Sequence, residues 1–411
     1  MNLINIIVYI ITYFGIFTTV FFLYTLFEFK NELKNPIFKR FPKVTICVPA
    51  YNEEKNLAKT IESLLNLDYP KDKLEVMVID DGSKDRTYEI AKKFEKYGVR
   101  VFKKKNEGKG PTLNFALKHS KGELFGALDA DSFVNSDALK KMIGYFENPK
   151  VMAVTPSLKV YQPKNVLQKI QYIEYLFGVF LRKIFAFLGS IHVTPGPFTI
   201  YRRCFFEKCG GYDEHNPTED IEIALRIQSK HYEIENSANA NVYTVAPKRF
   251  RSLLKQRIRW YLGFINNVYH YKKLFSKEHG NLGVFILPAS FISVVFAVFM
   301  LIYSGHLFFK NVIRDFINYK AIGFDFLTLL NFNFDFFFIN TNLLTILSLI
   351  SIATIILILI IAKKISEEKT ALKFYYPFYF FFYWMLFGFW WVMAGIYKLI
   401  GKKVAWGQRS F

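Results

Sequence analysis

Cysteine and acidic residues are both scarce in this sequence, and each shortage narrows what the chain can be. The 411 residues include three cysteines, Cys47, Cys204 and Cys209, an odd number without the spacing of a zinc pair. This count argues against a disulfide framework and fits a reducing compartment. Asp and Glu total 34 against 54 Lys and Arg, which gives a net charge of +20. Such a charge suits an anionic membrane or phosphate-bearing substrates, and both rank above nucleic acid as partners.

The first apolar run lacks the marks of a removable leader. Leu3 to Phe27 has no basic start, and no small-residue cleavage site follows it, so a signal peptide is the weaker interpretation. The run is long enough to cross a bilayer. Lys30 to Lys43 is rich in Lys and Arg. The positive-inside rule therefore predicts that this stretch and the domain after it are cytoplasmic.

Apolar and aromatic side chains are abundant. Hydrophobic residues make up 52% of the chain and aromatic residues 18%, which suits a protein partly dissolved in lipid. Further strong apolar runs, at Leu282–Phe309, Leu343–Ala362 and Phe378–Ile396, predict a multi-pass cell-membrane protein. The run Phe324–Ile339 is interrupted by polar residues and either lies in the interface or crosses. Three C-terminal crossings would put the basic tail Lys402–Phe411 outside, so either one run is re-entrant or interfacial, or the interrupted run crosses too.

Between Val44 and about Ala246, short apolar runs alternate with amphipathic stretches. The apolar runs are Val44–Val48, Val76–Ile79, Val99–Phe102 and Leu124–Leu128. The amphipathic stretches lie near Glu54–Asn66, Asp85–Tyr97, Pro111–His119 and Ser136–Phe146. This alternation predicts an α/β domain with a mostly parallel sheet. Ligands of such sheets lie beyond the carboxyl ends of the strands, where the motifs below fall.

The chain divides into five predicted regions. Arg249 to Tyr271 is basic and aromatic with apolar residues at helical spacing, which predicts a helix in the membrane interface. The regions are a transmembrane helix (1–29), a cytoplasmic catalytic domain (30–248), interface helices (249–280), a C-terminal transmembrane region (281–400) and a tail (401–411).

Two acidic motifs follow predicted strands. Asp80, Asp81 and Gly82 end one strand, where they either bind a nucleotide base or ribose or simply form a turn. Asp129 and Asp131 follow another strand, and side chains at i and i+2 of an extended segment point to one side. Two converging carboxylates repel each other unless a cation lies between them, and Mg²⁺ or Mn²⁺ prefers oxygen ligands and bridges to phosphates. A solvated turn is the alternative, and the strand context favours the metal.

A glycine loop and a helix start supply further candidates. The loop Asn106–Gly110 allows close approach of the backbone, and Lys109 adds a cation beside a helix N-terminus. It either binds the diphosphate of a donor or only joins a strand to a helix. Thr218 is a credible N-cap for a helix that opens with Glu219 and Asp220. Asp220 is a candidate general base, and the alternative is that both acids only favour the helix dipole.

The basic interface segment carries a third kind of motif. Gln256, Arg259 and Trp260 share one helix face at positions i, i+3 and i+4. A membrane-surface helix explains the basic residues of this segment but not this set. Arg259 suits a diphosphate, and Trp260 suits an aromatic floor for an acceptor sugar.

The ordered set of motifs resembles the family 2 inverting glycosyltransferases, in their membrane-embedded branch of cellulose, chitin, hyaluronan and poly-N-acetylglucosamine synthases. The resemblance covers roughly Val44 to Tyr261. It implies a Rossmann-like GT-A fold, a nucleotide-diphosphate sugar donor, most often UDP-linked, and one-step inversion. Gly196–Arg202 looks like the family segment near the acceptor end. Trp406–Ser410 is similar to a C-terminal element of hyaluronan synthases.

The resemblance also implies roles for single residues. Asp220 would be the catalytic base. The donor would contact Pro49, Tyr51, Glu53, Asp81, Lys109, Asp129, Gln256, Arg259 and Trp260. The acceptor would contact Gly196, Pro197, Glu219 and Trp260. Asp129 and Asp131 would hold Mg²⁺ or Mn²⁺, and the remaining partners would be the bilayer and a growing glycan or a lipid acceptor.

Three functions compete at this point. A processive synthase of β-linked polysaccharide would make polymer from donor and metal. A transferase like the ceramide glucosyltransferases would add one sugar to a membrane lipid. A receptor or transporter with a degenerate transferase domain is disfavoured by the intact carboxylates and the Gln-x-x-Arg-Trp. Several membrane runs after this motif favour polysaccharide synthesis.

Overall fold

The computed structural model describes residues 3–322, 342–370 and 376–402. The interrupted apolar run Phe324–Ile339 and the motif Trp406–Ser410 lie outside the described residues. The strands are β1 (Val44–Ala50), β2 (Leu74–Asp80), β3 (Arg100–Lys103), β4 (Leu124–Ala127), β5 (Ser132–Val134), β6 (Val151–Val160), β7 (Ile200–Arg202) and β8 (Glu233–Thr244). The α-helices are α1 (Leu3–Glu28), α2 (Leu57–Leu65), α3 (Thr87–Lys92), α4 (Lys109–His119), α5 (Ala138–Ile143), α6 (Val166–Phe187), α7 (Arg203–Cys209), α8 (Glu219–Ser229), α9 (Phe250–His270), α10 (Leu287–Ile322), α11 (Leu343–Ile365) and α12 (Tyr376–Leu399).

The first half of the sheet, β3-β2-β1-β4, is parallel throughout. Every residue of β1 is buried, as expected for a strand covered by helices on both faces. Apolar residues of α2 and α5 pack on one face, and those of α4, α7 and α8 pack on the other. The four strands and the helical stretches predicted in this half are confirmed, with end points shifted by a few residues.

The second half of the sheet, β7-β6-β8-β5, is mixed. β7 runs antiparallel to both β4 and β6, β6 and β8 are parallel, and β5 is antiparallel to β8. Four of the seven strand pairs in the described chain are therefore parallel. The predicted α/β class is confirmed, and the predicted parallel sheet holds for the first half, whereas the sequence patterns predicted none of β5 to β8.

Among the described residues, three helices are long and apolar enough to cross a membrane: Leu3–Glu28, Leu282–Asn318 and Leu343–Ile365. The second begins with a π-helical turn at Leu282–Ile286 and continues as α10 to Ile322, past the predicted end at Phe309. α12 forms over the last predicted apolar run but is not one of the three. Unlike those three helices, α12 lies along α9.

α12 packs lengthwise on α9, the helix of the predicted interface segment. The Trp390 ring lies 5.3 Å from that of Phe250, and the Trp391 ring lies 4.4 Å from that of Tyr261. Further along, Ala394 packs on Ile258 and Leu262 of α9. The outer face of α9 is therefore covered by aromatic and small side chains of α12, while its other face meets the catalytic domain.

Candidate active site

The acidic pair after β4 lies at the carboxyl end of the parallel half. The backbone carbonyl of Asp131 accepts a hydrogen bond of 3.3 Å from the Val245 N–H, which joins the pair to the end of β8. Burial, then repulsion from Asp129 and Glu53, raises the pKa of the Asp131 carboxyl to about 7. Burial is also the main cause of the raised pKa of Glu53. Carboxylates crowded in this way have oxygen ligands to offer and charge that a cation would neutralise.

Lys109 joins the two halves of the site. Its ammonium nitrogen lies 2.9 Å from Asp129 Oδ1 and 2.9 Å from Glu219 Oε1. Burial opposes the charge of Lys109, but the two carboxylates outweigh it, so the pKa of this amine is raised and it stays protonated. Gly108 has a φ of +104°, a backbone conformation that favours glycine, and it caps the helix that Lys109 begins. The predicted glycine loop therefore delivers its cation into the site.

The predicted acceptor segment closes on this lysine. A Cβ placed on Gly196 would lie 2.8 Å from Lys109 Nζ and 3.7 Å from Asp129 Oδ2, so glycine leaves room for the ion pair. Pro197 follows, and the buried Phe198 has a left-handed φ of +64° while its N–H donates to the Ala127 carbonyl at 2.6 Å. Such a conformation persists where the surroundings fix it, which is typical of functional loops.

Asp220 lies in the first turn of α8 beside the same ion pair. Burial, then repulsion from Glu219, raises its pKa to about 6, while Lys109 and Arg259 act in the opposite direction. Its backbone carbonyl accepts hydrogen bonds from Thr194 N–H at 3.2 Å and Thr194 Oγ1 at 2.7 Å. A small cavity is lined by Lys109, Gly196, Glu219 and Asp220 together with apolar and tyrosine side chains. The structure thus places the predicted base and two of the predicted acceptor residues, Gly196 and Glu219, around one space, whereas Pro197 and Trp260 do not line it.

α9 brings the Gln-x-x-Arg-Trp residues to α8. Gly263 makes this approach possible, because a Cβ there would lie 2.1 Å from Thr218 Oγ1. One guanidinium nitrogen of Arg259 donates to the Pro217 carbonyl at 2.7 Å, just before α8 begins. Gln256 Oε1 is buried and has no hydrogen-bond partner among the described residues. A buried acceptor without a partner is costly, so this amide oxygen is suited to receive a ligand hydroxyl.

The predicted nucleotide side is organised around Asp81. Its carboxylate accepts hydrogen bonds from Lys104 Nζ at 3.0 Å, Glu107 N–H at 3.1 Å and Gly108 N–H at 2.9 Å. The buried Asp80 Oδ2 has no partner in the described part of the chain. Asp81 therefore fixes the loop that leads to Lys109. The predicted donor residues Pro49, Tyr51 and Glu53 lie at the end of β1 and in the loop after it.

A larger cavity elsewhere contains none of these residues. It measures about 390 Å³ and is lined by side chains that include Glu32, Lys183 and Glu235. The clustering of the motif residues, rather than cavity size, therefore locates the candidate active site.

Comparison with known families bears on the residues just described. Residues 45–210 match the family described as Glycosyl transferase family 2. These residues form a family 2 glycosyltransferase domain. The match includes Asp81, Asp129 and Asp131, while Asp220 and α9 lie beyond its end.

Curated relatives of this chain include polysaccharide synthases. The chain is 33% identical over 225 residues to poly-β-1,6-N-acetyl-D-glucosamine synthase of Staphylococcus epidermidis. It is 31% identical over the same length to the synthase of that name from Staphylococcus aureus strain COL. Each match covers 54% of this chain and 54% of the relative, so the chain spans about half the length of the curated relatives it matches.

A solved structure supports the fold of the glycosyltransferase. The mannosyltransferase PcManGT from Pyrobaculum calidifontis, in complex with GDP-Man and Mn²⁺, matches with a TM-score of 0.58. The alignment covers 96% of this chain and 100% of the other at 18% identity, which is evidence about fold alone. The predicted GT-A-like α/β architecture is thereby confirmed.

The carboxylate pair of Asp129 and Asp131 fits a divalent cation that is bound together with a ligand. Asp129 and Asp131 supply hard oxygen ligands, and the repulsion from Asp129 and Glu53 that helps to raise the pKa of Asp131 is of the kind that a bound cation would relieve. Within the described ranges, no group of three or more His, Cys, Asp or Glu side chains could hold a metal ion alone. Further ligands would come from the diphosphate or from water, as Mg²⁺ commonly requires.

Three charged residues near the site were not predicted from the sequence. Arg257 is buried, lies 2.7 Å from Glu174 of α6, and places its guanidinium 4.3 Å from the centre of the Trp260 ring. It therefore covers one face of the predicted sugar platform. Lys104 binds Asp81 from the neighbouring loop. In the sequence, Arg257 was a cation inside the Gln-x-x-Arg-Trp motif without a predicted role, and this was the available signal for it. Its partner Glu174 lies 83 positions away, so no local pattern indicated the pair.

Proposed function

We propose that this glycosyltransferase is a membrane-embedded synthase of β-linked polysaccharide that uses a UDP-linked sugar. The observation that carries the proposal is the bridge made by Lys109, which joins Asp129 on the donor side to Glu219 beside Asp220. The ammonium group of Lys109 thus links the proposed donor side to the helix turn that carries the proposed base. The names of the relatives make UDP-N-acetylglucosamine the first donor to test.

The donor side would bind the diphosphate. Arg259 lies near enough to Asp220 to lower its pKa and presents a guanidinium fork suited to phosphate oxygens. Asp129 and Asp131 would hold Mg²⁺ or Mn²⁺, which when bound supplies positive charge to the leaving nucleoside diphosphate. Gln256 and Trp260 would orient the sugar through the unpartnered amide oxygen and the exposed face of the indole.

The acceptor side would carry the proton transfer. Asp220, with a pKa of about 6, is ionised at neutral pH and can take the proton of an acceptor hydroxyl. The hydroxyl oxygen forms a bond to the anomeric carbon as the bond from that carbon to the diphosphate oxygen breaks. The electron pair leaves with the nucleoside diphosphate. Attack from the opposite face inverts the anomeric configuration.

The packing of the membrane helices supports a multi-pass arrangement with the catalytic domain on one side of the membrane, and the basic stretch from Lys30 to Lys43 favours the cytoplasmic side. α1 ends at this domain, where the Phe29 ring lies 5.2 Å from that of Phe187. α10 begins beside α8, and α11 ends where Glu367 lies 3.1 Å from Lys141. α10 therefore leads away from the domain and α11 leads back to it, while α12 lies along α9 at the interface.

The activity is tested with the purified full-length chain in detergent or lipid. UDP-N-acetylglucosamine and other UDP-sugars are supplied with Mn²⁺ or Mg²⁺, and the products are sized by mass spectrometry. Polymer of many sugars is expected from the wild type, and none from Asp131→Ala because the metal site loses a ligand. A single sugar on a lipid would replace the proposal with the lipid-transferase alternative, and absence of transfer from every donor would refute it.

The side of the membrane is tested with single cysteines in a background that lacks Cys47, Cys204 and Cys209. Lys34→Cys, beside the catalytic domain, and Leu343→Cys, at the far end of α11, are labelled with an impermeant maleimide. In right-side-out vesicles we expect labelling at position 343 and protection at position 34. The reverse pattern would place the catalytic domain outside the cell.

A further inference from the structure

The segment 366–370, which follows α11, is bound to the catalytic domain by charged side chains. Lys159 of β6 places its ammonium nitrogen 3.0 Å from Glu368 Oε2 and donates to the Ser366 carbonyl at 2.8 Å. Lys141 of α5 lies 3.1 Å from Glu367 Oε2. Asn239 of β8 donates to the other oxygen of Glu367 at 2.9 Å. Two adjacent acids from a membrane helix thus bind three elements of the catalytic domain.

The Lys159–Glu368 pair is fully withdrawn from water. Only 1% of the Lys159 side chain and 6% of the Glu368 side chain are exposed. For comparison, the Lys140–Asp68 pair on the domain surface is 33% and 65% exposed. Removing one partner from a buried pair leaves an uncompensated charge, whereas an exposed pair contributes little. Lys159 therefore requires the segment after α11 to be in place.

The segment itself is held in a fixed shape. The N–H and hydroxyl of Thr370 donate to Glu368 Oε1 at 2.9 and 2.7 Å. Burial, which would raise the pKa of Glu368, is outweighed by these hydrogen bonds and by Lys159, so the pKa falls to about 2. Glu367 has a left-handed φ of +53°, a conformation that a non-glycine residue keeps only where the surroundings fix it. Geometry and charge both indicate a specific contact.

Lys159 is in register with the strand that follows Asp131. Its partner across the sheet is Tyr243 of β8, and Tyr243 pairs in turn with Phe133 of β5. Phe133 is two residues after Asp131 along the chain. The Asp131 carbonyl is also bonded to Val245 at the end of β8. The contact with the membrane helix is thus two strands away from the predicted metal carboxylates.

We propose that segment 366–370 is a latch through which α11 positions the Asp129–Asp131 edge of the active site, with Lys159 and Glu368 as its positioning pair. This inference rests on the proposed function, because it assumes that Asp129 and Asp131 bind the donor with its metal. The latch would fix the position of that edge relative to the membrane helices. It touches neither the donor nor the acceptor.

The test measures Mn²⁺ binding directly, by electron paramagnetic resonance of free Mn²⁺ with the full-length chain and UDP. Glu368→Gln keeps the shape of the side chain and removes its charge. We expect it to weaken Mn²⁺ binding about tenfold, the lower end of effects seen for residues that support metal ligands. The swap of Lys159→Glu with Glu368→Lys re-forms the pair and should recover most of the loss. If the swap does not fold, Lys159→Arg with Glu368 intact keeps the ion pair and should bind Mn²⁺ as the wild type does.

Asp68→Asn, which breaks the exposed Lys140 pair, is the matched control and should bind Mn²⁺ as the wild type does. Thermal unfolding of each variant separates a positioning effect from loss of fold. A folded Glu368→Gln variant with wild-type Mn²⁺ affinity would overturn the latch, as would a wild-type chain that binds no Mn²⁺. Since this measurement needs no sugar transfer, absence of polymer from the wild type would refute the proposed function and leave the binding result intact.

Discussion

The two halves of the sheet are buried by different means. Strands β1, β2 and β4 carry almost only apolar side chains and are covered by helices that follow them in the chain. β6 and β8 are equally buried, yet they carry polar residues, including Thr155, Ser157, Lys159, Asn236 and Asn241. Thr155 and Asn236 bind each other across the sheet, and Lys159 binds the segment after α11. Ser157 Oγ, Asn236 Oδ1 and Asn241 Oδ1 are buried and have no hydrogen-bond partner among the described residues.

The difference separates a part that folds from local βα units from a part completed by the membrane region. In the first half, β1 to β4 alternate with α2, α3 and α4 along the chain, and the strands are buried mainly by apolar contacts. In the second half, buried polar groups require particular long-range partners, because an unpaired polar group in a protein interior is costly. In the candidate active site Lys109 binds Asp129, which follows β4 of the first half, and Glu219 of α8, the helix that leads into β8.

The largest expected effect comes from removing the carboxylate of the proposed base, Asp220. Asp220→Asn keeps the shape of the side chain but cannot accept the proton of the acceptor, so kcat should fall by about 10²–10⁴-fold. Donor binding should be retained because the donor carboxylates Asp129 and Asp131 are unchanged. Turnover and equilibrium binding of UDP give the two values. Weakened UDP binding with kcat preserved would argue against a base.

Removing Lys109, which binds both Asp129 and Glu219, should lower the free energy of unfolding as well as turnover. Lys109→Met leaves Asp129 and Glu219 facing each other without their cation, and removal of one member of a buried pair costs about 3–5 kcal/mol of the free energy of unfolding. Thermal unfolding of the purified chain measures the loss. Lys140→Met, which removes an exposed ion pair, is the control and should change little. Equal melting temperatures for both variants would contradict the role of Lys109.

A smaller effect is expected from separating α9 from α8. Gly263→Ala puts a methyl group within contact of Thr218, and overpacking of this kind costs about 1–3 kcal/mol. Because Arg259 is on the same helix, the KM for the donor should rise. Gly395→Ala on α12 is the matched control, since nothing lies within 4 Å of the added carbon. Indistinguishable kinetics for the two variants would show that the α8–α9 contact does not position Arg259.

The smallest expected effect is the dependence on pH. Below its pKa of about 6, Asp220 becomes protonated and can no longer act as a base. The value of kcat/KM should therefore fall about tenfold for each pH unit below 6 and level off above it. Rates from pH 4.5 to 8 measure this limb. The residual activity of Asp220→Asn should lack it, and an unchanged limb in that variant would assign it to another group.

The strands that the sequence predicted all belong to the first half of the sheet. Apolar runs indicated β1 to β4 because burial of both faces leaves a continuous signature in sequence. β8 contains Glu235, Asn236, Ser237 and Asn241, a composition typical of an exposed loop, and it is mostly buried because it pairs with β5 and β6 and packs against α5 and α6. The carboxylates Asp129, Asp131 and Asp220 were found by motif. The partners Lys104, Glu174 and Glu368 were not, because ion pairs across tens of residues leave no local pattern.

The position of α9 matters for how this protein is trimmed for laboratory work. A soluble fragment cut after β8 would retain Asp129, Asp131 and Asp220 but lose Gln256 and Arg259, together with the α12 surface that holds them. Such a fragment would also lack segment 366–370, which pairs with Lys159, so it should bind the donor and its metal more weakly than the full chain and give no turnover. Compounds selected on the fragment would not be tested against the part of the pocket formed by Gln256 and Arg259. The intact chain in nanodiscs is therefore the appropriate target.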